Sequence, residues 1–286
     1  MTGRVRTAGA ALLLAAGWAA PRVTAAQAGD TAIAIHRQIL PRQDAWLLLG
    51  FTAGVVAARP LDRSLTRRLQ RSAVQANGFL SGGATAFRVY AFPGAGIAGG
   101  GFYLAGLARH DRTMSEVALH GMEAVVATQA IVTLGKGIAG RARPLVDPTN
   151  PHDYKLFRGF HAGDDYQSFP SGHAAAAFAI AGALTAEATD HKPRLRRLVA
   201  LTTYTAAGFT GLSRMYDNKH WASDVVAGAA VGTLTGMTVV RYNHRHPNNF
   251  LDERFLPRHA RASPAVTALV APADGGLAVG VSLSMR

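Results

Sequence analysis

The stretch SRMYDNKHWASD, Ser213–Asp224, places an arginine six residues before a histidine and an aspartate four residues after it. Residues four apart lie on one face of a helix, so Asp224 is predicted to reach the ring of His220. A carboxylate that accepts the proton of one imidazole nitrogen fixes the tautomer and directs the other nitrogen outward. Arg214 has the planar, fork-shaped charge that suits a phosphate-like anion. The alternative is a buried His–Asp pair beside an unrelated surface arginine.

A second motif, FPSGH at residues 169–173, has the features of a helix start. Pro170 ends a loop and Ser171 is a favourable N-cap residue. The backbone N–H groups of Ser171, Gly172 and His173 are therefore predicted to point at an anion, assisted by the helix dipole. An ordinary helix start with a chance histidine is the alternative.

A third motif, KGIAGRARP, runs from Lys136 to Pro144. Lys136 and Arg143 are seven residues apart and would share one helix face across two turns. Pro144 halts the helix just after Arg143. Taken alone, the motif is more typical of a basic, solvated helix end.

Apolar stretches separated by polar or basic connectors predict an all-α six-helix bundle. The connectors include RPLDRSLTRRLQRS at residues 59–72. An up-and-down arrangement would bring the three motifs to one pole of the bundle. The predicted helices are Ala45–Ala58, Tyr90–Ala108, Val117–Gly135, Ala174–Thr189, Leu198–Leu212 and Ala222–Val240.

The three motifs, K-x6-R-P, P-S-G-H and S-R-x5-H-x3-D, resemble in this order the signature of the type 2 phosphatidic acid phosphatase superfamily. That superfamily also includes bacterial class A acid phosphatases and vanadium haloperoxidases. The pattern is matched without departure by Lys136, Arg143, Pro144, Pro170, Ser171, Gly172, His173, Ser213, Arg214, His220 and Asp224.

This resemblance implies an all-α bundle that hydrolyses a lipid phosphate or another phosphomonoester through a phosphohistidine. In that scheme His220 is the nucleophile, Asp224 orients it, and His173 is the general acid and base. No metal or other cofactor is expected, and vanadate would act as an inhibitor. The residues expected to bind the phosphate are Lys136, Arg143, Ser171, Gly172 and Arg214.

Two other functions fit parts of the same pattern. A vanadate-dependent haloperoxidase would hold vanadate as a cofactor in the same pocket. A noncatalytic binder of anionic lipid head groups would use the basic connectors as a membrane-surface patch. The substrate stays open between lipid phosphates and soluble phosphate esters, because all of them present the same terminal group.

Composition and the N-terminus limit the partners and the location. Lys and Arg outnumber Asp and Glu by 30 to 17 among 286 residues, which favours an anionic partner, and cysteine is absent. Basic residues followed by AGAALLLAAGWAA and Ala26-Gln27-Ala28 predict a secretory signal peptide at residues 1–28. Export argues against a nucleic-acid target and predicts a periplasmic or membrane-associated protein.

The remaining chain is divided into a helical phosphatase domain, residues 29–243, and a C-terminal tail, residues 244–286. Several apolar stretches are short, interrupted by polar residues, or rich in Ala and Gly, which favours a soluble or membrane-apposed domain over a membrane-embedded one. In the tail, AVTALVAPADGGLAVGVSLSMR predicts a short β-hairpin, with a disordered tail as the alternative.

Four further features receive structural interpretations. Arg141 is expected to be exposed to solvent, with contact to the substrate as the alternative, and Trp221 is expected to pack and not to bind substrate. His120 and Glu123 are interpreted as a hydrogen-bonded pair in the core and not as a second site. The connector Pro151–Ser168, which mixes aromatic, acidic and basic residues, would form a rim beside the pocket.

Overall fold

A computed structural model of the protein describes residues 42–257 and the backbone of two further ranges, 265–273 and 276–284. The predicted signal peptide, residues 1–28, lies outside the described residues. The proposed division at residue 243 therefore stays a prediction for the whole chain.

The described part of the chain is mostly helical, and the predicted all-α class is confirmed. The α-helices are α1 (Arg42–Ala58), α2 (Leu61–Leu69), α3 (Ser72–Gln75), α4 (Gly78–Val89), α5 (Ala95–Ala108), α6 (Arg112–Ala139), α7 (Gly172–His191), α8 (Arg196–Tyr216), α9 (Ala222–Arg245) and α10 (Phe250–Phe255).

Helix ends follow the local chemistry of capping. The Asp111 carboxylate accepts the Met114 N–H at 2.9 Å and caps the start of α6, as Asn77 does for α4. At the other end of α6, Gly140 adopts a left-handed conformation with φ of 51°. A β-carbon at Gly140 would overlap the carbonyl oxygen of Lys155, so the chain turns sharply there.

All six predicted stretches contain helix, but the predicted count of six is wrong, because the described residues also form α2, α3, α4 and α10. Two of the differences have a clear local cause. The connector at residues 59–72 contains helix α2, because its leucines recur at helical spacing among good helix-forming arginines. The predicted helix Tyr90–Ala108 becomes regular only at Ala95. Phe92 has non-helical backbone angles, and Pro93 has no N–H to donate to the preceding turn.

The core depends on small residues where α7 and α9 pack together. Gly232 and Gly236 of α9 face the carbonyl oxygens of Ala175 and Ala179, and a β-carbon at either glycine would overlap them. The abundant Ala and Gly therefore allow two helix backbones to approach closely. This approach brings the start of α7 next to the start of α9, where two of the three motifs lie.

Large apolar side chains cover much of the outside of the helices. Trp46, Ile97, Val126 and Leu201 are each about 70% exposed. Within residues 42–257, two helices, α6 and α9, are long and apolar enough to cross a membrane, and α1 with α2 forms a third candidate bent by 63°. These surfaces support the membrane-associated alternative over the soluble one.

Two strands follow the helices, β1 (Ala265–Ala273) and β2 (Gly276–Ser284). They pair antiparallel, with Ala265 opposite Ser284 and Ala273 opposite Gly276. This register agrees with the β-hairpin predicted for the C-terminal tail.

Candidate active site

The three sequence motifs lie together at one end of the bundle. The Ser171 N–H donates to the Asp224 carbonyl oxygen at 3.0 Å, which joins the starts of α7 and α9. A β-carbon built on Gly172 would lie 3.5 Å from Lys136 Nζ, so the end of α6 reaches the same place. Residues that are far apart in the chain therefore meet in one cluster of side chains, the candidate pocket.

His220 is buried and held in one orientation. Its Nδ1–H donates to the carbonyl oxygen of Ser168 at 2.7 Å. We assign the proton to Nδ1 because a carbonyl oxygen accepts but never donates. A neutral ring then carries its lone pair on Nε2, which is the atom able to act as a nucleophile.

The predicted direct hydrogen bond between His220 and Asp224 is wrong. Asp224 Oδ2 lies 3.8 Å from His220 Nδ1, which is beyond hydrogen-bonding distance. The same oxygen accepts from the Ser168 hydroxyl at 2.6 Å and from the Trp221 N–H at 2.9 Å. Asp224 thus holds the residue whose carbonyl orients His220, and it acts on the ring itself through its nearby charge.

Arg141 is fully buried, so the expectation that it faces solvent is wrong. Its guanidinium donates to Asp224 Oδ1, to Asp62 Oδ2 at 2.7 Å and to the Pro151 carbonyl oxygen at 2.7 Å. Only 1% of its side-chain surface is exposed. Arg141 neutralises two buried acids behind the pocket and has no donor oriented towards solvent.

Asp62 is a member of the site that the sequence analysis missed. It lies on α2, is completely buried, and accepts from the N–H and the hydroxyl of Ser223 as well as from Arg141. The segment that contains it was interpreted as a polar connector. Its one available signal was the leucine spacing that makes α2 a helix.

Both histidines of the pocket are uncharged in the resting protein. Burial, and then the charges of Arg214, Lys136 and Arg143, lower the pKa of His173 to about 3. Burial also lowers the pKa of His220 to about 4, although Asp224 acts against the shift. A neutral His220 has a free lone pair, whereas a neutral His173 has to gain a proton before it can protonate a leaving group.

Arg143 and Arg214 are positioned by acids near the pocket rim. Arg143 donates to the backbone and side chain of Asp164, whose side chain is 66% exposed. Arg214 donates to Asp217 at 2.6 Å, and its buried Nε has no hydrogen-bond partner among residues 44–257. Each arginine is therefore paired with an acid, and Arg214 Nε is left as a donor for a ligand.

Ser171 contributes to the pocket differently from the prediction. Its N–H is occupied by the Asp224 carbonyl, so the predicted use of this N–H for an anion is wrong. Its hydroxyl is buried and has no partner within the described side chains. Gly172 and His173 begin α7, and N–H groups in a first turn have no acceptor within their own helix.

The remaining predicted residues lie around these groups. Trp221 is completely buried and donates its indole N–H to the Ala142 carbonyl at 2.9 Å, which is a packing role. The connector Pro151–Ser168 lies beside the pocket, since Ser168 contacts His220 and Asp164 contacts Arg143.

Comparison with known proteins identifies the family. The family model of the PAP2 superfamily matches residues 118–247, which include all three motifs. Over 74 residues the chain is 47% identical to a lipid A 1-phosphatase from Porphyromonas gingivalis, covering 26% of this chain and 16% of that protein. Over 80 residues it is 38% identical to a putative phosphatidate phosphatase from Drosophila melanogaster, covering 26% and 21%.

A solved structure shares the fold. It is the first transmembrane PAP2-type phosphatidylglycerolphosphate phosphatase from Bacillus subtilis, with a TM-score of 0.51 and 19% identity over 71% of this chain and 96% of that one. The matches to the two curated relatives span less than a quarter of their length. Residues 118–247 belong to the PAP2 superfamily, which confirms the predicted family.

Proposed function

We propose that the protein is a metal-independent phosphatase that hydrolyses a lipid phosphate through a phosphohistidine intermediate. The observation that carries the proposal is the fixed, neutral ring of His220 in a pocket with His173 and three cationic side chains. Such a pocket combines a nucleophile, a proton carrier and a phosphate-binding surface.

In the first step, His220 Nε2 attacks phosphorus and the bond to the ester oxygen breaks. His173, protonated once substrate is bound, gives its proton to that oxygen, and the alcohol leaves. In the second step, His173 accepts a proton from water while the water oxygen attacks phosphorus. The bond to His220 breaks, inorganic phosphate forms, and both rings return to their starting state.

Positive charge in the pocket stabilises the transition state of both steps. Lys136, Arg143 and Arg214 would bind the oxygens that remain on phosphorus, where negative charge is concentrated. The N–H groups of Gly172 and His173 add dipoles at the start of α7. The Asp164 and Asp217 carboxylates hold the arginines in place until a doubly charged phosphate competes for them.

Anion binding is expected to be coupled to proton uptake. A bound dianion offsets the cations that lower the pKa of His173, so this pKa should rise on binding. Calorimetric titration with sulfate near pH 5, in buffers of different ionisation enthalpy, should reveal uptake of part of one proton. The uptake should disappear in His173→Asn, and an equal uptake in that variant would contradict the assignment.

An apolar groove next to the pocket supports a lipid as the substrate. It has a volume of about 630 Å³, lies between α5, α6 and α7, and is lined by residues that include Tyr90, Phe92, Gly96, Phe102, Met122 and Leu184. The Phe92 ring contacts the His173 ring edge-on at 5.5 Å between centroids, so one end of the groove meets the pocket.

The groove continues along α5 from Ala95 to Phe102, about 10 Å of helix at 1.5 Å per residue. An acyl chain placed there would leave its phosphate beside His173. The names of the two relatives, a lipid A 1-phosphatase and a phosphatidate phosphatase, support the same substrate class.

Filling the groove should impair lipid hydrolysis selectively. Gly96 lines the groove and a β-carbon there meets no atom within 4 Å, so Gly96→Leu should fold and block an acyl chain. We expect kcat/KM for phosphatidate in detergent micelles to fall about tenfold or more, with little change for a soluble aryl phosphate. Gly100→Leu is the matched control, because Gly100 is equally open but lies outside the groove lining. Equal losses in both variants would argue against the acyl site.

The proposed reaction itself is tested with the purified full chain in detergent and EDTA. Phosphate should be released from phosphatidate and from an aryl phosphate, and orthovanadate should inhibit as a trigonal-bipyramidal mimic of the transition state. A strict magnesium requirement would contradict the scheme. Vesicle binding without phosphate release would support the noncatalytic alternative, and bromide oxidation with vanadate and peroxide would support the haloperoxidase.

We also propose that residues 1–28 direct export, so that the enzyme works at a membrane on the periplasmic side. Fractionation of cells that express the whole chain tests this location. Recovery of the full-length, uncleaved chain in the cytoplasmic fraction would contradict it.

A further inference from the structure

A second cluster of polar groups lies at the far end of α7. Fourteen residues separate His173 from Glu187 on this helix, about 21 Å along its axis. There, His120 Nδ1 lies 2.6 Å from Glu187 Oε1, and His244 Nε2 lies 3.1 Å from Glu187 Oε2. The predicted pairing of His120 with Glu123 is wrong, because Glu123 accepts from Asn243 instead.

The geometry points to a metal site: we propose that His120, Glu187 and His244 bind a divalent transition metal ion of the zinc type. One ligand atom from each of these three residues can be chosen so that all lie within 4.8 Å of one another. His120 and Glu187 are almost completely buried. Two imidazole nitrogens with one carboxylate oxygen form a ligand set that zinc commonly takes.

The outer nitrogens of both histidines already have the partners that metal-bound imidazoles require. His120 Nε2 lies 3.2 Å from Asp252 Oδ1, and His244 Nδ1 lies 2.8 Å from Asp190 Oδ2. A ligating histidine normally donates its second N–H to a carboxylate, which fixes the tautomer and strengthens the ligand. The nitrogens left to bind a metal are therefore the two that face Glu187, His120 Nδ1 and His244 Nε2.

His191 offers a fourth ligand. Its Nε2 lies 3.2 Å from Glu187 Oε2, and this buried nitrogen has no well-aligned hydrogen-bond partner in the described part of the chain. In a tetrahedral zinc site with bonds of 2.0–2.1 Å, neighbouring ligand atoms are about 3.3 Å apart. His191 lies outside the group of ligand atoms that are within 4.8 Å of one another, so its ring would have to move towards the other two to complete the set. Otherwise water would take the fourth position.

Access to the cluster is provided by a cleft of about 650 Å³. Glu187 and His191 both line this cleft, together with Asp111 and Lys192. On binding, the ion would replace the protons on His120 Nδ1 and His244 Nε2, and these protons would be released to solvent. The ligands come from α6, α7 and α9, and Asp252 comes from α10, so the ion would hold four helices together.

The site makes no contact with the proposed phosphatase pocket, and the inference goes beyond the proposed function. The test uses the full chain, stripped with EDTA and then titrated with zinc chloride. We expect about one zinc per chain by elemental mass spectrometry, and a higher melting temperature than that of the stripped chain. At a temperature where the metal-free and the zinc-bound chain are both folded, phosphatase turnover should not require the ion. Failure of the metal site would therefore leave the proposed phosphatase function intact, and the reverse also holds.

Variants locate the ion. His244→Gln should abolish stoichiometric binding, whereas His246→Gln, a change two residues on at an exposed histidine, should leave it intact. Asp252→Asn keeps all the ligands but removes the negative charge behind His120, and should weaken zinc binding by about 10- to 100-fold. If His244→Gln does not fold, the change in zinc affinity of Asp252→Asn still shows whether the ion is bound at this site or elsewhere.

Cobalt gives an independent readout on the unmodified chain. The tetrahedral set should give the intense visible absorption of four-coordinate Co²⁺, and zinc should remove that absorption. Absence of stoichiometric zinc in the folded chain would overturn the proposal. Unchanged affinity in both His244→Gln and Asp252→Asn would overturn it as well, because the ion would then be bound elsewhere.

Discussion

Replacement of His220 by alanine is expected to lower phosphate release from any phosphomonoester by about 10⁴-fold or more. In the proposed mechanism the ring supplies the Nε2 lone pair that attacks phosphorus, and its Nδ1 is fixed by the Ser168 carbonyl. Without it, the cations and His173 can still bind and polarise the phosphate, but no covalent intermediate forms. Steady-state kinetics with an aryl phosphate measures the loss.

The intermediate separates the roles of the two histidines. An aryl leaving group needs little protonation, so His173→Ala should still be phosphorylated but should lose the base for the second step. Radiolabelled phosphoenzyme, trapped by quenching into alkali, should accumulate in His173→Ala and be missing in His220→Ala. His161→Ala, at an exposed histidine in the connector beside the pocket, is the control for folding and activity. Phosphoenzyme in His220→Ala would contradict the assignment of the nucleophile.

Replacement of Arg141 by methionine is expected to lower the free energy of unfolding by about 3–5 kcal/mol. Methionine has a similar length, but it leaves Asp62 and Asp224 buried without their shared counter-charge. The Ser168 loop that orients His220 depends on the same Asp224, so turnover should fall with stability. Chemical denaturation in detergent, followed by circular dichroism, measures the change.

Two further variants test this explanation. Arg196→Met removes an exposed arginine and should change stability by less than about 0.5 kcal/mol. In an Asp62→Asn background, Arg141→Met should cost less than in the native chain, because one of the two uncompensated charges is already gone. An equal cost in both backgrounds would show that Arg141 stabilises the fold by packing and not by charge.

The pocket shows which contacts can be predicted from the spacing of residues in the sequence and which cannot. The motifs place Lys136, Arg143, Arg214 and both histidines in one pocket, and the structure brings these residues together. The spacing of His220 and Asp224 suggested a direct hydrogen bond, because four residues make one helical turn. However, α9 begins only at Ala222, so His220 lies outside the helix and the spacing rule does not apply to it.

The partners that the sequence analysis missed come from distant segments. Asp62 reaches Arg141 from 79 residues away, and Glu187 reaches His120 from 67 residues away. Nothing in the local pattern around Asp62 marks it as buried, because a charged residue in a basic segment is usually exposed. Only the packing of α2 against α8 and α9 removes it from water.

The sequence by itself determined the helical class, the family and the residues that the proposed mechanism uses. These depend on helical periodicity and on residue types at short, fixed separations, which do not change with the packing of the bundle. The tertiary structure alone decided that Ser168 holds His220, that Arg141 is buried between two acids, and that three histidines surround Glu187. Such contacts join segments whose relative positions depend on how the helices pack, and no local spacing encodes them.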